Sequence, residues 1–451
     1  MTVDLSSIVK AYDVRGVVPD QLNPDIARAL GAAFARFVGA QTIVTARDMR
    51  ESGIPLGTAF AEGVTSQGVN VVESGLGSTD LLYYAAGSMG MPGAMFTASH
   101  NPAKYNGIKL CLAGAKPVGQ ESGLVQIREE AERFLVEGIP AVAVAGTVTQ
   151  QDVLVGYAAY MKQLVPDLVG IRPLKVVVDA GNGMGGHTVP TTFEGLPLEV
   201  TEMYFELDGS FPNHEANPID PENLRDLQKA VLAAGADLGL AFDGDADRCF
   251  VVDERGEIVS PSTLTALIAA RELQRAPGST VIHNLITSRS VPEVITENGG
   301  TPVRTRVGHS FIKAKMAEHD AVFGGEHSGH FYFRDFWNAD SGMLAALHTL
   351  AALGHFSGTL SELLASYDRY IASGEINSTV DDQAGRVAAI KAAYDGKPQD
   401  ELDGLTVDLG EGAWFNVRAS NTEPLLRLNV EAPDEARMAA VRDEVLALIR
   451  A

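Results

Sequence analysis

The chain predicts an α/β protein of several domains, and three observations carry that expectation. β-branched runs that open into polar or glycine-rich turns recur along it: "QTIVTARD" (41–48), "LKVVVDAGNG" (174–183) and "STVIHNLITS" (279–288). Alanine-rich stretches with helical periodicity, such as "PDIARALGAAFARFVGA" (24–40), alternate with them, the pattern of sheets with largely parallel strands. The length, 451 residues, exceeds what one ordinary core organises.

Taken in order, the spacing predicts three similar α/β domains with mixed, largely parallel sheets, 1–145, 146–254 and 255–370, followed by a small C-terminal α+β domain, 371–451. The first junction falls in "GIPAVAVAGTVTQQ" (138–151), read as a connection with helix on either side. The second falls where "ERGEIVSPS" (254–262) turns before a helix, and the third in "RYIASGEI" (369–376). The tail reads differently: "LTVDLGEGAWFNVRASNTEPLLRLNVEA" (405–432) suggests two alternating strands about a polar loop, then a helix from Asp434.

A formal net charge of −23 argues against a broad surface for nucleic acid or anionic membrane, since both need a basic field. Small anions are not excluded, because a local cluster of Arg, Lys and His suffices for them. The two cysteines, Cys111 and Cys249, sit in strand-like apolar runs and fit buried reduced thiols better than a disulfide framework. The first residues lack the basic segment and apolar core of a signal peptide, and no apolar run approaches a bilayer span. A cytoplasmic location is therefore expected.

"AFDGDADRCF" (241–250) is the most informative segment. Asp243, Asp245 and Asp247 alternate with small residues, so the backbone can turn while three carboxylates converge. Charges so close raise one another's pKa, and a hard divalent cation removes the repulsion; an oxygen-only set suits Mg²⁺. A solvated acidic turn is the simpler reading, but apolar strands on both sides disfavour it. A calcium helix–loop–helix is excluded because its glycine position holds Arg248 and the flanks are strands. A haloacid-dehalogenase-type phosphatase, with Asp243 as nucleophile, stays open as the alternative, although Asp247 would add a third carboxylate beside that nucleophile. Arg248 could fork onto a substrate phosphate or simply neutralise the loop.

"VVVDAGNGMGG" (176–186) contains G-x-G-x-x-G after a strand, yet Asp179 is a poor neighbour for a pyrophosphate, and a tight strand-to-helix turn is preferred. In "FTASHNPAKYNGIKL" (96–110), a hydroxyl and an imidazole end an apolar strand. Neighbouring side chains on a strand face opposite ways, so His100 is not expected to serve as base to Ser99. A Ser99 carrying a phosphoryl group would instead bring charge and acceptor oxygens to the metal loop, with His100 and Lys109 close in sequence. "GGEHSGH" (324–330) offers Glu326, Ser328 and His330 to sugar hydroxyls. "RASNTEP" (418–424) has the make-up of an anion cradle, and "RVGH" sets His309 just ahead of a helix.

"KAYDVRG", "TASHNPAKYNGIKL", "DGDADR", "VGH", "GGEHSGH" and "RASNTEP" stand in the order found in the α-D-phosphohexomutases, and the chain resembles that superfamily from Lys10 to Pro424. The "GEHSGH" form is similar to the phosphomannomutase/phosphoglucomutase branch. The resemblance implies four domains around a central cleft and an isomerase, a phosphoprotein of carbohydrate metabolism. It implies a phosphoserine at Ser99 and Mg²⁺ held by Asp243, Asp245, Asp247 and the serine phosphate. Arg15, His100, Lys109 and Arg248 match catalytic residues around the transferred group, as does Tyr12 on the substrate side; Lys109 and His309 are the expected proton movers. Glu326, Ser328 and His330 match sugar readers, and Arg418, Ser420, Asn421 and Thr422 a clamp on the second phosphate. Hexose phosphates are the expected small-molecule partners and hexose 1,6-bisphosphate the expected primer, in a monomer or small homo-oligomer. One departure stands out: some relatives carry Lys where this chain has Ile286, with Arg289 nearby.

Overall fold

The β-branched runs and alanine-rich stretches fold as the alternation predicts. A computed structural model describes residues 3–420 and 424–451, without the side chain of His309. β1 (Val14–Val17), α1 (Pro24–Val38), β2 (Thr42–Arg47), α2 (Gly53–Thr65), β3 (Asn70–Leu76), α3 (Thr79–Met89), β4 (Gly93–Phe96), β5 (Tyr105–Leu112), β6 (Lys116–Pro117), α4 (Leu124–Glu137) and β7 (Val148–Gln150) form the first layer structure. Its sheet runs β1-β5-β4-β2-β3-β7, with β6 beside β5. β4, β2, β3 and β7 are parallel, β5 pairs antiparallel with β4, and β1 pairs antiparallel with β5. After the helix α5 (Leu154–Leu164) come β8 (Leu174–Asp179), α6 (Gly185–Phe193), β9 (Leu198–Met203), α7 (Arg225–Ala234), β10 (Leu238–Phe242), β11 (Cys249–Asp253) and β12 (Ile258–Val259). The second sheet, β12-β11-β10-β8-β9, repeats the plan: parallel β10, β8 and β9, then an antiparallel return.

The chain continues through α8 (Pro261–Arg275), β13 (Thr280–Asn284), α9 (Ser290–Glu297), β14 (Thr301–Thr305), α10 (His309–His319), β15 (Phe323–Gly325), β16 (Phe331–Phe333), β17 (Ala339–Asp340), α11 (Gly342–His355) and α12 (Leu360–Leu364). β14-β13-β15 are parallel, and β16 and β17 pair antiparallel. The last elements are β18 (Ile371–Thr379), α13 (Gln383–Ala393), β19 (Gln399–Asp400), β20 (Leu405–Gly410), β21 (Ala413–Ala419), β22 (Leu425–Ala432) and α14 (Glu435–Arg450), in an antiparallel sheet of order β18-β22-β21-β20-β19. Three α/β domains with mixed sheets and an α+β tail are thus present, as predicted. Contact density divides the chain into two units, 1–259 with 328–363, and 260–327 with 364–451.

Two local expectations are corrected. The stretch 138–151, read as a connection, contains β7, whose Val148–Gln150 extend the first sheet beside Val71–Glu73. The tail holds three strands where two were read: Glu411 and Gly412, at φ +52° and +80°, turn β20 back onto β21 as a tight hairpin. Glu at a left-handed position hid that turn from the composition.

The helices carry the capping chemistry that their sequences offer. Asn23 accepts the N–H groups of Asp25 and Ile26 ahead of Pro24, and Gly39 ends α1 at φ +59°. α1 and α2 approach unusually closely, because Gly31 and Gly63 lack side chains: a Cβ on Gly63 would stand 2.0 Å from the carbonyl oxygen of Arg28. Behind them Phe34, Phe60 and Phe96 are fully buried in one core with Val14 and Ile43. Gly63→Ala therefore lowers the midpoint of urea unfolding, with a loss of about 1–3 kcal/mol from overpacking, whereas helix propensity alone would raise it by up to about 1 kcal/mol.

Candidate active site

The informative loops share one topological position. Residues 97–104 join the parallel strand β4 to the antiparallel β5, and residues 243–248 join β10 to β11. Residues 326–330 lie between β15 and β16, at the same point in the order of elements. Carboxyl ends of parallel strands, where the strand order reverses, are where open α/β sheets collect ligands.

Within the first unit the first two of these loops meet. Ser99 Oγ donates to Asp243 Oδ2 at 3.0 Å, and both residues are buried. The approach depends on two glycines. A Cβ on Gly244 would stand 2.5 Å from Ser99 O, and one on Gly183 would stand 2.7 Å from Gly244 O. Gly183, within the turn that the sequence favoured over a dinucleotide site, thus serves packing against the acidic loop. Ala246, at φ +56°, lets that loop fold back so that oxygens of Asp243, Asp245 and Asp247 lie within 4.8 Å of one another.

Cations surround the carboxylates. Arg248 Nε donates to Asp243 Oδ2 at 2.9 Å, and Lys109 Nζ donates to Asp245 Oδ2 at 2.8 Å and Asp247 Oδ2 at 2.7 Å. Thr79 Oγ1 adds a second donor to Asp245 Oδ2 at 2.6 Å. Burial pushes Asp243 up to about 7, against the pull of Arg248. For Asp245, burial is overcome by Lys109 and Thr79, which hold it well below the usual carboxylate range. Burial likewise opposes the charge on Lys109, and Asp245 and Asp247 overcome it, so the ammonium is held well above its ordinary value.

Ser99 and His100 require a correction. Ser99 Oγ lies 3.2 Å from His100 Nδ1. The alternation argument fails because β4 ends at Phe96 and Ser99 adopts φ +50°, so the two side chains are not on a strand. Burial, then Arg248 and Arg15, push His100 down to about 2, which leaves a neutral ring beside the hydroxyl. Arg15 Nη1 reaches the same loop through Asn101 Oδ1 at 2.7 Å, and Tyr12 precedes β1 half-buried.

Buried atoms without partners show what this arrangement can take. Asp245 Oδ1 and Asp247 Oδ1 are unpaired acceptors; Arg15 Nε and Arg248 Nη2 are unpaired donors. A buried unsatisfied group costs about 1–3 kcal/mol, more when charged, and such orphans call for a ligand. Oxygen-only acceptors fit Mg²⁺, and guanidinium N–H groups fit an anion such as phosphate. The residues present therefore fit the cation that the sequence implied.

Of the other expected residues, His330 donates from Nδ1 to Asp340 Oδ2 at 3.0 Å in the first unit, and Ser328 is half-buried there. His330 is raised: burial opposes this, and the Asp340 contact prevails. In the second unit Glu326 is buried and accepts from Gly308 N at 3.2 Å. Arg418 Nη2 donates to Glu375 Oε2 at 2.6 Å, and Ser420 N to Leu425 O at 2.8 Å. His309 opens α10. Asn421 and Thr422 lie outside the described residues. Ile286 is buried, and Arg289 Nη2 donates to Asp408 Oδ2 at 2.6 Å.

Four models of one family match the chain in succession: phosphoglucomutase/phosphomannomutase alpha/beta/alpha domains I (6–133), II (156–256) and III (260–370), and the C-terminal domain (375–448). A phosphomannomutase of Escherichia coli is 39% identical over 452 residues, covering 98% of this chain and 98% of its own.

The chain belongs to the phosphoglucomutase/phosphomannomutase family.

It is accordingly an isomerase of the mutase type, in a magnesium-dependent family of carbohydrate metabolism. A phosphomannomutase/phosphoglucomutase of Pseudomonas aeruginosa is 38% identical, covering 97% of this chain and 94% of its own. A family protein of Burkholderia thailandensis superposes with a TM-score of 0.86 at 33% identity, over 99% of this chain and 98% of that one. Among the described residues no helix is long and apolar enough to cross a membrane.

Sequence reasoning missed the layer behind the site. Thr79 and Asp80 open α3, where Asp80 accepts from Ser78, from Tyr157 OH at 2.9 Å and from Ser341 Oγ at 2.6 Å. Its only sequence signal was the capping pattern Ser78-Thr79-Asp80. Because protonated Asp243 cannot bind a cation, Mg²⁺ affinity of the unphosphorylated protein should fall about tenfold per pH unit below the value near 7 at which Asp243 titrates. Calorimetry with MgCl₂ at pH 5.5, 6.5 and 8 checks this; affinity that ignores pH contradicts it.

Proposed function

We propose that this protein interconverts the 1- and 6-phosphates of mannose, and of glucose, by way of a phosphoserine at Ser99 and a hexose 1,6-bisphosphate. The observation that carries the reading is the meeting of Ser99 Oγ with Asp243 Oδ2 at 3.0 Å, between orphaned carboxylate oxygens and orphaned guanidinium donors. The names of its relatives support the substrate class.

In this reading the phosphoryl group leaves Ser99 Oγ as its P–O bond breaks, and a new bond forms to the free hydroxyl of the sugar phosphate. The hydroxyl's proton passes to His309 as base, and Lys109, the other proton mover, is held protonated by Asp245 and Asp247 and so acts as a proton donor. The bisphosphate then turns over, and its other phosphoryl group returns to Ser99, whose hydroxyl proton can pass to the neutral His100 or to Asp243. Arg248 and Arg15 hold the equatorial oxygens, where charge accumulates. Asp243, Asp245 and Asp247 would hold Mg²⁺, which neutralises phosphoryl charge when bound.

Tyr12 completes the phosphate side of the site. Glu326, Ser328 and His330 read sugar hydroxyls, and Arg418 with Ser420, Asn421 and Thr422 grips the phosphate that is not transferred. The four domains keep the order expected at 1–145, 146–254, 255–370 and 371–451, with the first extended through β7 and the second through β12, and the last swings to admit the turning intermediate. The protein works in the cytoplasm as a monomer or small homo-oligomer. The phosphatase alternative finds no support: Asp243 Oδ2 is already engaged by Arg248 and Ser99, and the relatives are mutases.

Ser99→Ala should abolish turnover while sugar-phosphate binding persists. Protein labelled from hexose 1,6-bisphosphate should keep its phosphate through hydroxylamine, which strips an aspartyl phosphate. Full activity in the variant, or a hydroxylamine-labile label, contradicts the reading. Mannose 1-phosphate and glucose 1-phosphate compared at saturating bisphosphate give the sugar preference, and turnover of neither would refute the substrate assignment.

A further inference from the structure

Arg50 takes no part in the scheme above, yet it is the most heavily committed cation in the molecule's first unit. It is 2% exposed. Its Nη2 donates to the carbonyl oxygens of Ser99 at 2.9 Å and Asn101 at 2.6 Å, and its Nη1 to those of Pro102 and Tyr105, both at 3.1 Å. Its Nε donates to Asp48 Oδ2 at 3.2 Å. A guanidinium has five N–H donors, and each has its own acceptor here. The ring of Phe211 lies 5.0 Å from its Cζ and Gly209 packs against its backbone, closing the cluster.

Four of these five bonds end on the backbone of one short segment, residues 99–105, which runs from Ser99 to the first residue of β5. That segment needs restraint. Ser99 sits at φ +50°, a conformation that a residue with a Cβ adopts only when its surroundings impose it. Its N–H is fixed by Thr97 Oγ1 at 2.9 Å and its carbonyl by Arg50, so both flanking peptide groups are pinned. The Arg50 bonds also turn four carbonyl oxygens, each of which would repel a phosphate, onto a buried cation.

We infer that Arg50 is the positioning residue of the phosphoryl-transfer step: by gathering the carbonyls of residues 99–105 it holds Ser99 Oγ against the acidic loop. The inference rests on Ser99 being the phosphoryl carrier. Arg50 acts through the loop and touches neither the Asp243–Asp247 carboxylates nor the sugar-reading residues, so its loss should separate transfer from binding. Lysine keeps the charge opposite Asp48 but offers three donors from a single point and cannot reach the same carbonyls.

The test uses the full chain with glucose 1,6-bisphosphate carrying labelled phosphate. Arg50→Lys should slow label transfer to Ser99, and kcat with it, by about 100-fold, as a displacement of about 1 Å does elsewhere. KM for the hexose 1-phosphate and calorimetric affinity for MgCl₂ should stay within about threefold of wild type. Phe211→Leu, which loosens Arg50 without removing it, should show a smaller loss in the same measurement. Wild-type transfer rates in R50K overturn the inference, as does a parallel collapse of KM and Mg²⁺ affinity, which marks general damage. If R50K does not fold, wild-type transfer in F211L overturns it. A wild-type protein that takes no label on Ser99 overturns the phosphoserine reading itself, a result distinct from any of these.

Discussion

Three buried aspartates within reach of one another cannot all stay ionised without company, and the first unit is arranged around that constraint. Lys109 and Arg248 neutralise part of the charge. Orphaned oxygens on Asp245 and Asp247 leave the rest for a cation. Every neighbouring feature serves to bring a hydroxyl to the edge of that cluster without adding bulk: the side-chain-free Gly183 and Gly244, the left-handed Ala246, and the left-handed Ser99. The serine's Oγ stands 3.0 Å from Asp243 Oδ2, at the edge of the acidic cluster.

Much of this was legible in the chain. Strands such as Thr42–Arg47 and Leu174–Asp179 announce themselves by β-branched runs, and the aspartates by their alternation with small residues. What stayed hidden is of one physical kind. His100 reaches Ser99 because a backbone torsion departs from the strand, and no propensity encodes that departure. Arg50, Asp80 and Ser341 matter through partners dozens to hundreds of residues away, at |i−j| of 49 for Arg50 to Ser99 and 261 for Ser341 to Asp80. A single buried arginine or a helix-opening aspartate looks ordinary until its acceptors are known. β7 escaped because three exposed residues carry no hydrophobic signal, and their strand exists only by pairing with β3.

The repeated plan also explains why function sits in loops. In the first two sheets the chain passes from a parallel strand to an antiparallel one, and at that crossing it must leave the sheet. Ser99 and the three aspartates occupy those two crossings, and the segment 326–330 has the corresponding place in the element order. Rigid strands thus fix groups that no contiguous stretch of sequence could bring together, which is what a transfer reaction dependent on positioning requires.

In the proposed reading a phosphate on Ser99 and a cation in the Asp243–Asp247 loop share one site. Phosphorus resonance of the phosphorylated protein, recorded while Mn²⁺ replaces Mg²⁺, tests it most directly. One equivalent of Mn²⁺ should broaden the serine phosphate signal beyond detection in wild type, and the signal should stay sharp in an Asp245→Asn, Asp247→Asn variant. A signal that remains sharp in the wild-type protein with the metal bound would contradict the account.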